Sequence, residues 1–425
     1  VDFAGAETAK AAVDAAVEGF PAWDRTPAET RAAALDAARG INFAGMQDVF
    51  SVVDYLTGDD LALAFDNMAP NDAIISGQGL LATGDLMSQR LDSRLRDVRR
   101  GHRGFKIAAS SQAAEGALTD NPTGSGGIAQ ELDGGTETTT HEMSHGFGGF
   151  VNIDFYEADA ETAFSDRDAE LDGFALTGGI DKELGNGAVI GATVGYQSTE
   201  GNLANGTADT EISGGSVGFY GYVPLDEAVY IDGHVSFGRH TIDTARSVDL
   251  AGSVLAVSCD TEADTVLIGA SVGRVFSFNN GVTFTPSLNA LHADYEIASY
   301  LETGSSAALR VDGRDLTSQQ VSLSGLIEWE MGKTGGIRPS IRVSVVRELG
   351  EDATDEIIGA FSATGATGPR IALEGSERSG TWVDLEVGLD IDLSDRLVGT
   401  IGARQTVNRD ELDQTIIGGS LQFKF

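Results

Sequence analysis

Hydrophobic and polar residues follow two different patterns along the chain. Over roughly the first 100 residues, apolar side chains recur at the spacing of an α-helix, and from Gly146 onward they alternate with polar ones. The alternation is clearest over 383–393, where Val, Leu and Ile share one face and the other face carries mostly Asp and Glu. This pattern predicts twelve strands, at about 146–156, 170–182, 188–199, 209–223, 228–240, 261–277, 281–298, 317–331, 336–348, 380–393, 396–407 and 414–425.

The connections between these strands differ in length in a regular way. Joins after even-numbered strands are short, as in ELGNG and PLDEA, whereas several joins after odd-numbered strands are long, at 157–169, 241–260, 299–316 and 349–379. Short turns at one rim and long loops at the other are typical of outer-membrane barrels. Such a sheet has to close, because lipid offers no hydrogen-bond partners to an open edge. The sequence therefore predicts an all-β membrane fold, a twelve-stranded antiparallel outer-membrane β-barrel formed by residues 141–425.

The first 140 residues divide into three segments. Residues 1–70 are Ala-rich and helical in period. Asn71, directly after Pro70, is a suitable N-cap, and the apolar spacing that follows predicts a helix over 71–100 that is about 43 Å long. Residues 101–140 are rich in Gly, Ser, Thr and Asn and are typical of a flexible linker.

The composition excludes several kinds of partner and structural feature. The chain of 425 residues contains 65 acidic and 28 basic side chains, so it has no basic surplus with which to bind nucleic acid. Cys259 is the only cysteine, which excludes an internal disulfide, and we expect an incidental thiol there. No run of about 18 or more apolar residues occurs, so we expect no transmembrane helix.

The helix predicted over 71–100 becomes basic toward its end, in a chain that is acidic overall. The inward faces of the predicted strands carry acidic side chains, so helix and barrel wall are complementary in charge. We expect the helix to occupy the lumen, held by ion pairs that fix its position even where desolvation cancels their Coulomb gain. The lumen residues of the helix are Arg90, Arg94, Arg96, Arg99 and Arg100, and the acidic wall consists of Glu328, Glu330, Asp384, Glu386 and Asp390.

Two motifs suggest metal chemistry, but each lacks part of the required site. The segment His141-Glu142-Met143-Ser144-His145 matches HExxH, in which two His bind Zn²⁺ and the Glu is a general base. Its Thr-rich and Gly-rich flanks disfavour a helix, and a third ligand is unassigned. The stretch 166–173 resembles a calcium loop, but Gly179 stands where the bidentate acid belongs. We therefore expect no metal site and no cofactor, with an acidic surface loop at 166–173 whose loose binding of divalent cations stays open.

Five segments occur in an order that is typical of a known family. They are the pre-barrel segment at 61–95, GFALTGGIDKELGNGAVIGATVGY at 173–196, GGSVGFYGYV, YIDGHVSFGRH and the terminal LQFKF with its alternating Leu421, Phe423 and Phe425. Together they resemble the autotransporter β-domain, the translocator of type V secretion. The resemblance implies a twelve-stranded barrel with a helix through its pore, joined to an exported passenger and inserted by the barrel-assembly machinery through its C-terminal strand.

A second resemblance covers only residues 9–41, which look like the amino-terminal helical stretch of aldehyde dehydrogenases. Nothing downstream resembles the cofactor loop or the catalytic cysteine of that family. We infer no oxidoreductase activity from it, and a chance match and a fused fragment both stay open.

Three functions are consistent with these patterns. The first is a non-enzymatic translocator in the outer membrane, which carries its own N-terminal passenger toward the cell surface. Residues 1–70 are then either a small passenger or the remnant of a longer one. Its partners are outer-membrane lipid, the barrel-assembly machinery and the passenger, with no nucleic acid. The second is an outer-membrane pore for small solutes, which requires the helix to lie outside the lumen. The third is a zinc-dependent surface protease that uses His141, Glu142 and His145.

Overall fold

The computed structural model describes residues 49, 64, 67–99, 106–111, 147–161, 168–203, 207–250, 252–278, 281–331, 337–350, 354–363, 370–377, 380–394, 397–409, 412–413 and 415–423. Most of the Ala-rich segment 1–70 lies outside these residues, including the stretch 9–41. The HExxH residues 141–145, Arg100 and Phe425 also lie outside them.

One long helix, α1, spans Asn71–Arg99. It begins directly after Pro70, and its first turn carries Asp72 while its last turn carries Arg96 and Arg99. This placement of acid and base complements the helix dipole. At 1.5 Å per residue, the 29 residues extend about 43 Å, roughly the full thickness of a bilayer with its headgroups. Within the described ranges, no helix combines the length and apolar character needed to cross a lipid bilayer.

The alternating part of the sequence forms strands. In chain order the described residues form β1 (Lys106–Ser111), β2 (Phe147–Glu161), β3 (Asp168–Glu183), β4 (Val189–Leu203), β5 (Ala208–Pro224), β6 (Val229–Leu250), β7 (Ser253–Arg274), β8 (Phe276–Ser277), β9 (Val282–Ile297), β10 (Tyr300–Leu301), β11 (Leu309–Val311), β12 (Arg314–Trp329), β13 (Ile337–Glu348), β14 (Thr354–Phe361), β15 (Arg370–Glu377), β16 (Thr381–Ser394), β17 (Leu397–Val407), β18 (Leu412–Asp413) and β19 (Thr415–Phe423).

Twelve long strands form one antiparallel meander, in the order β2, β3, β4, β5, β6, β7, β9, β12, β13, β16, β17 and β19. The short strand β1 lies between the two ends of this meander, antiparallel to β19 and parallel to β2, so the sheet closes through it. The prediction of an all-β antiparallel barrel is confirmed. The strand β1 falls within 101–140, where the sequence indicated only a linker.

Alternation along the strands separates a lipid-facing surface from an inner wall. On β6, for example, Ile231 and Phe237 are exposed on the outside, while Tyr230, Asp232 and His234 are buried on the inside. Exposed apolar residues continue around the barrel as a band, as expected for strands in contact with lipid. On β3 to β7 the first charged outward residues beyond this band, toward the rim with the long connections, are Asp172, Glu200, Glu211, Arg239 and Asp264.

The strands β6 and β7 extend well beyond the apolar band. They pair without interruption from Val229 and Arg274 to Leu250 and Ser253. The expectation of a long loop at 241–260 was therefore wrong, because these residues form the outer half of a hairpin whose inward side chains are buried. Similarly, most of the acidic loop expected at 166–173 is strand, since β3 begins at Asp168.

A second, smaller sheet lies at the same rim. It contains β10, β11, β14 and β15 in that order, and these strands come from the two longest connections of the barrel. Leu309, Val311 and Ile357 of this sheet pack against Ala73 and Ile74 at the start of α1. The small sheet therefore covers the N-terminal end of the helix.

Candidate functional site

The helix α1 lies against the inner wall of the barrel and is buried along most of its length. Leu80 and Leu81 pack with Ile242, Leu267 and Tyr295. Nearer the other end of the helix, Leu91 and Leu95 pack with Phe150 and Tyr220. The inner wall is therefore apolar at several levels along the helix and is not purely acidic.

Glycines let the helix and the wall approach closely. A Cβ on Gly79 of α1 would lie 2.6 Å from Ile212 Cδ1, and a Cβ on Gly201 of β4 would lie 2.6 Å from Ile75 Cγ2. At Gly84 the constraint is stronger, because a Cβ there would overlap the hydroxyl of Tyr295. These three positions fix how far α1 can rotate or slide without a clash.

Arg94 makes a deeply buried ion pair between the C-terminal part of the helix and the wall. Its Nε and Nη2 donate to Asp181 Oδ2 of β3 at 3.0 and 2.5 Å, and the Tyr220 hydroxyl donates to the same oxygen at 2.6 Å. The guanidinium also lies 5.1 Å from the centre of the Phe150 ring. Arg94 and Asp181 are both almost fully buried, so each charge depends on the other for compensation.

Two further arginines of α1 reach other strands. Arg96 donates to Glu386 of β16 at 2.8 Å, and Arg99 pairs with Asp232 of β6 and lies 4.4 Å from the centre of the Tyr230 ring. The three pairs thus hold the last two turns of the helix from three directions.

The predicted acidic wall divides into groups with different partners. Among its five acids, Glu386 contacts a helix arginine, and Arg342 Nη1 of the wall also lies 3.6 Å from Glu386. Asp384 instead accepts from Arg404 and Thr406 of the neighbouring strand, at 2.6 and 2.9 Å.

The other predicted residues occupy different places. Asp390 lies opposite Arg338 in the sheet, Glu328 is half-buried on β12, and Glu330 is exposed just beyond the end of that strand. On the helix, Arg90 is half-buried. Leu421 and Phe423 lie on β19 opposite Gly399 and Leu397 of β17.

Sequence reasoning missed Asp181 and Asp232, the partners of Arg94 and Arg99. The available signal was an acid on the inward register of each strand, Asp181 in GGIDKE and Asp232 in YIDGH. It also missed Arg409, a wall residue whose Nη1 lies 3.6 Å from Asp85 of the helix, which reverses the expected polarity.

A second polar cluster lies at the opposite end of α1, beyond the apolar band. Arg246 of β6 donates from Nε and Nη2 to the two carboxylate oxygens of Glu302 at 2.6 and 2.7 Å. Asp72, which is fully buried, accepts from the Thr244 hydroxyl at 3.1 Å, and its Oδ1 lies 3.8 Å from Arg246 Nε.

Cys259 adjoins this cluster, with its Sγ 3.0 Å from Thr244 Oγ1. Because Thr244 gives its proton to Asp72, the thiol is the donor to Thr244. Burial raises the pKa of Cys259 to about 12, so the thiol stays protonated at neutral pH. This chemistry is that of an unreactive thiol rather than a nucleophile.

Across the ranges that the structure describes, no three His, Cys, Asp or Glu side chains are grouped so that they could hold a metal ion. On β3 the acids Glu170 and Asp172 are consecutive outward positions of a strand, which is not the geometry of a calcium loop.

Comparisons with known proteins agree with this architecture. The family model of the autotransporter β-domain matches residues 144–404, more than half of the chain. The fold is similar to the translocator domain of the autotransporter NalP from Neisseria meningitidis, with a TM-score of 0.51, 14% sequence identity and coverage of 70% of this chain and 92% of that one.

Another similar structure is the β-domain of the Bordetella autotransporter BrkA, with a TM-score of 0.46, 15% identity and coverage of 66% of this chain and 100% of that one. A comparison with curated proteins finds no match. Because the family model covers most of the barrel, the chain belongs to the autotransporter β-domain family, the outer-membrane translocator barrels of type V secretion in Gram-negative bacteria.

Proposed function

We propose that this barrel anchors in the outer membrane and helps to export its own N-terminal passenger, with α1 remaining in the lumen as a plug. The observation that supports this most is the attachment of the last two turns of α1 to three different strands, through Arg94, Arg96 and Arg99. A helix merely resting outside a pore would not be bound from three sides.

The direction of the helix supports an N-terminus at the cell surface. Asn71 lies at the rim with the long connections, covered by the small sheet, whereas Arg99 pairs with Asp232 close to the short turn before β6. In outer-membrane barrels long loops face the outside and short turns face the periplasm. The chain before Asn71 would therefore emerge outside the cell.

We further propose that the barrel has no catalytic step of its own and that β19 presents the recognition strand for the barrel-assembly machinery. The inner wall uses its charges to pair with α1 and with itself, as in Asp384 with Arg404. The role in barrel assembly rests on the family resemblance of the terminal LQFKF segment.

Single-channel conductance in planar bilayers tests the plug. We expect low conductance for the full chain and a large, stable conductance for a form lacking residues 1–99, after the heat-dependent gel mobility of each has shown that the barrel is folded. Equal and large conductance in both forms would contradict the plug and support a solute pore.

Substitutions in the full-length chain test the plug without deleting the helix. Replacing the three wall acids (Asp181→Asn, Asp232→Asn, Glu386→Gln) should give frequent openings, because the arginines of α1 lose their partners. The matched control is Asp384→Asn, which changes a wall acid that pairs with Arg404 and Thr406 of the wall. It should stay closed.

A further inference from the structure

The chain just before α1 is held at the mouth of the barrel. Arg246 Nη1 donates to the carbonyl oxygens of Asn67 and Met68 at 3.2 and 3.5 Å, and Asn67 Nδ2 donates to the carbonyl of Asp249 at 2.9 Å. Asn67 and Met68 are helical, and the helix they belong to ends before Pro70. Carbonyl groups at the C-terminal end of a helix lack partners within that helix, so a guanidinium is well suited to bind them.

The Arg246 guanidinium also binds the segment between β10 and β11 of the small sheet. Besides both carboxylate oxygens of Glu302, Arg246 reaches the carbonyl of Ala307 at 3.3 Å. Glu302 in turn accepts the backbone N–H of Leu309 at 2.6 Å. Every nitrogen of the Arg246 guanidinium thus has a protein acceptor. We call Asn67, Asp72, Thr244, Arg246 and Glu302 the exit clamp.

Apolar contacts enclose the exit clamp. Met68 packs with Val248, Leu250 and Val257 of the β6–β7 hairpin. The small sheet covers Ala69, Ala73 and Ile74 from the other side. The hairpin extension and the small sheet, which the sequence did not predict, therefore meet over residues 67–74.

The two ends of α1 are held in different ways. At the C-terminal end, arginines of α1 pair with carboxylates of the wall. At the exit clamp, one guanidinium binds the carbonyls of particular residues beside the break at Pro70. A shift of the chain by one residue would move the helix end before Pro70 relative to Arg246 and place Asp72 away from Thr244.

The geometry points to Arg246 as the positioning residue that sets the register of the exported chain at the mouth. It stops the chain at residues 67–72 and seals the outer end of the lumen, independently of the arginine pairs at the inner end. This inference rests on the proposed plug. It adds to the plug the contacts of Arg246 that end the movement of the chain through the lumen.

Limited proteolysis from the outside tests the exit clamp in the full chain. Endoproteinase Asp-N cuts before Asp72 only when this buried residue becomes accessible. With the barrel in lipid vesicles, Arg246→Met should be cut before Asp72 at least about tenfold faster than the wild type, since local opening governs such cleavage. The matched control is Arg239→Met on the same strand, which removes an arginine from the exposed pair with Asp264 and should leave the rate unchanged.

Cys259, the only cysteine of the chain, offers a second readout. Because its thiol donates to Thr244, alkylation by N-ethylmaleimide should be slow in the wild type and faster in Arg246→Met. Thr244→Val keeps the side-chain shape and removes one hydrogen bond to Asp72. It is the variant to use where Arg246→Met fails to fold, and its cleavage should also be faster, by a smaller factor. Alkylation is compared only between the wild type and Arg246→Met, because Thr244 is the acceptor of the Cys259 thiol.

The outcomes separate the two proposals. If the wild type has low conductance but Arg246→Met and Thr244→Val are cut no faster than Arg239→Met, the exit clamp is overturned and the plug is not. A wild type of large conductance would overturn the plug whatever the cleavage rates. Low conductance with selective cleavage of the two clamp variants supports both.

Discussion

Gly84 of α1 lies so close to Tyr295 of β9 that any side chain at position 84 would overlap the phenol hydroxyl. Gly84→Ala should therefore lower the free energy of unfolding by about 1–3 kcal/mol, the usual cost of overpacking. In a Tyr295→Leu background the same substitution should become stabilising, by about 0.5–1 kcal/mol, because alanine favours a helix over glycine. Urea unfolding of the four proteins measures this change of sign.

Gly79→Ala provides the control for this cycle. Its Cβ would meet the flexible end of Ile212 at 2.6 Å, which can move aside, so the cost should be smaller and independent of residue 295. The same cost for Gly84→Ala with and without the Tyr295 ring would show that the two residues do not limit the position of the helix.

Asp181 is the second test of the interior. Asp181→Asn leaves the buried Arg94 charge without its carboxylate, and breaking a buried pair typically costs about 3–5 kcal/mol. The exposed pair of Arg239 and Asp264 has hydrogen bonds of comparable length, at 2.7 and 2.8 Å, yet Asp264→Asn should cost much less because water screens it. Comparable costs in urea unfolding would mean that Asp181 is well hydrated.

The sequence predicted the barrel because the lipid band imposes strict alternation. Residues such as Ile231 and Phe237 must face lipid while Asp232 and His234 face inward, so the pattern itself reports the fold. Pro70 and Asn71 similarly mark where α1 begins. These features are local in the chain and can therefore be recognised without the structure.

The pairing between helix and wall could not be predicted in the same way. Which acid meets Arg94 depends on the stagger of the strands and the rotation of α1, and both are set by distant contacts such as Gly84 with Tyr295. The hairpin extension was missed because it stands in water. Most of its outward side chains are polar and several inward ones, such as Thr244 and Arg246, are polar as well, so the hydrophobic contrast is weak.

Acidic residues form an unbroken row across five neighbouring strands at the rim with the long connections. The directly paired positions, from β3 to β7, are Asp172, Glu200, Glu211, Asp243 and Asp260. Like charges directly opposite each other are destabilising. The row therefore opposes folding at low ionic strength.

Glu211→Gln should relieve this repulsion and raise the free energy of unfolding by about 0.2–1 kcal/mol, with a smaller gain at high salt, which screens exposed charges. The control is Asp209→Asn, two residues away on the same exposed face, whose paired positions are Asn202 and Ala245. Urea midpoints at low and high salt compare the two. A gain from Asp209→Asn as large as that from Glu211→Gln would assign the effect to net charge rather than to the row.

Asp226 gives the barrel a pH-dependent turn at the rim with the short connections. Its Oδ1 accepts the backbone N–H groups of Ala228 and Val229, both at 2.7 Å, and these bonds hold its pKa below the ordinary value of 3.8. A pKa that is lower in the folded state contributes stability above the unfolded value and loses it as the pH falls through the folded value.

Asp226→Asn should therefore be less stable than the wild type at neutral pH, and the difference should shrink as the pH falls below 3.8. Urea unfolding from pH about 7 to about 3 measures this convergence, with Glu227→Gln in the same turn as the control for loss of one surface charge. A difference between Asp226→Asn and wild type that stays constant over this range would show that the carboxylate charge does not hold the turn.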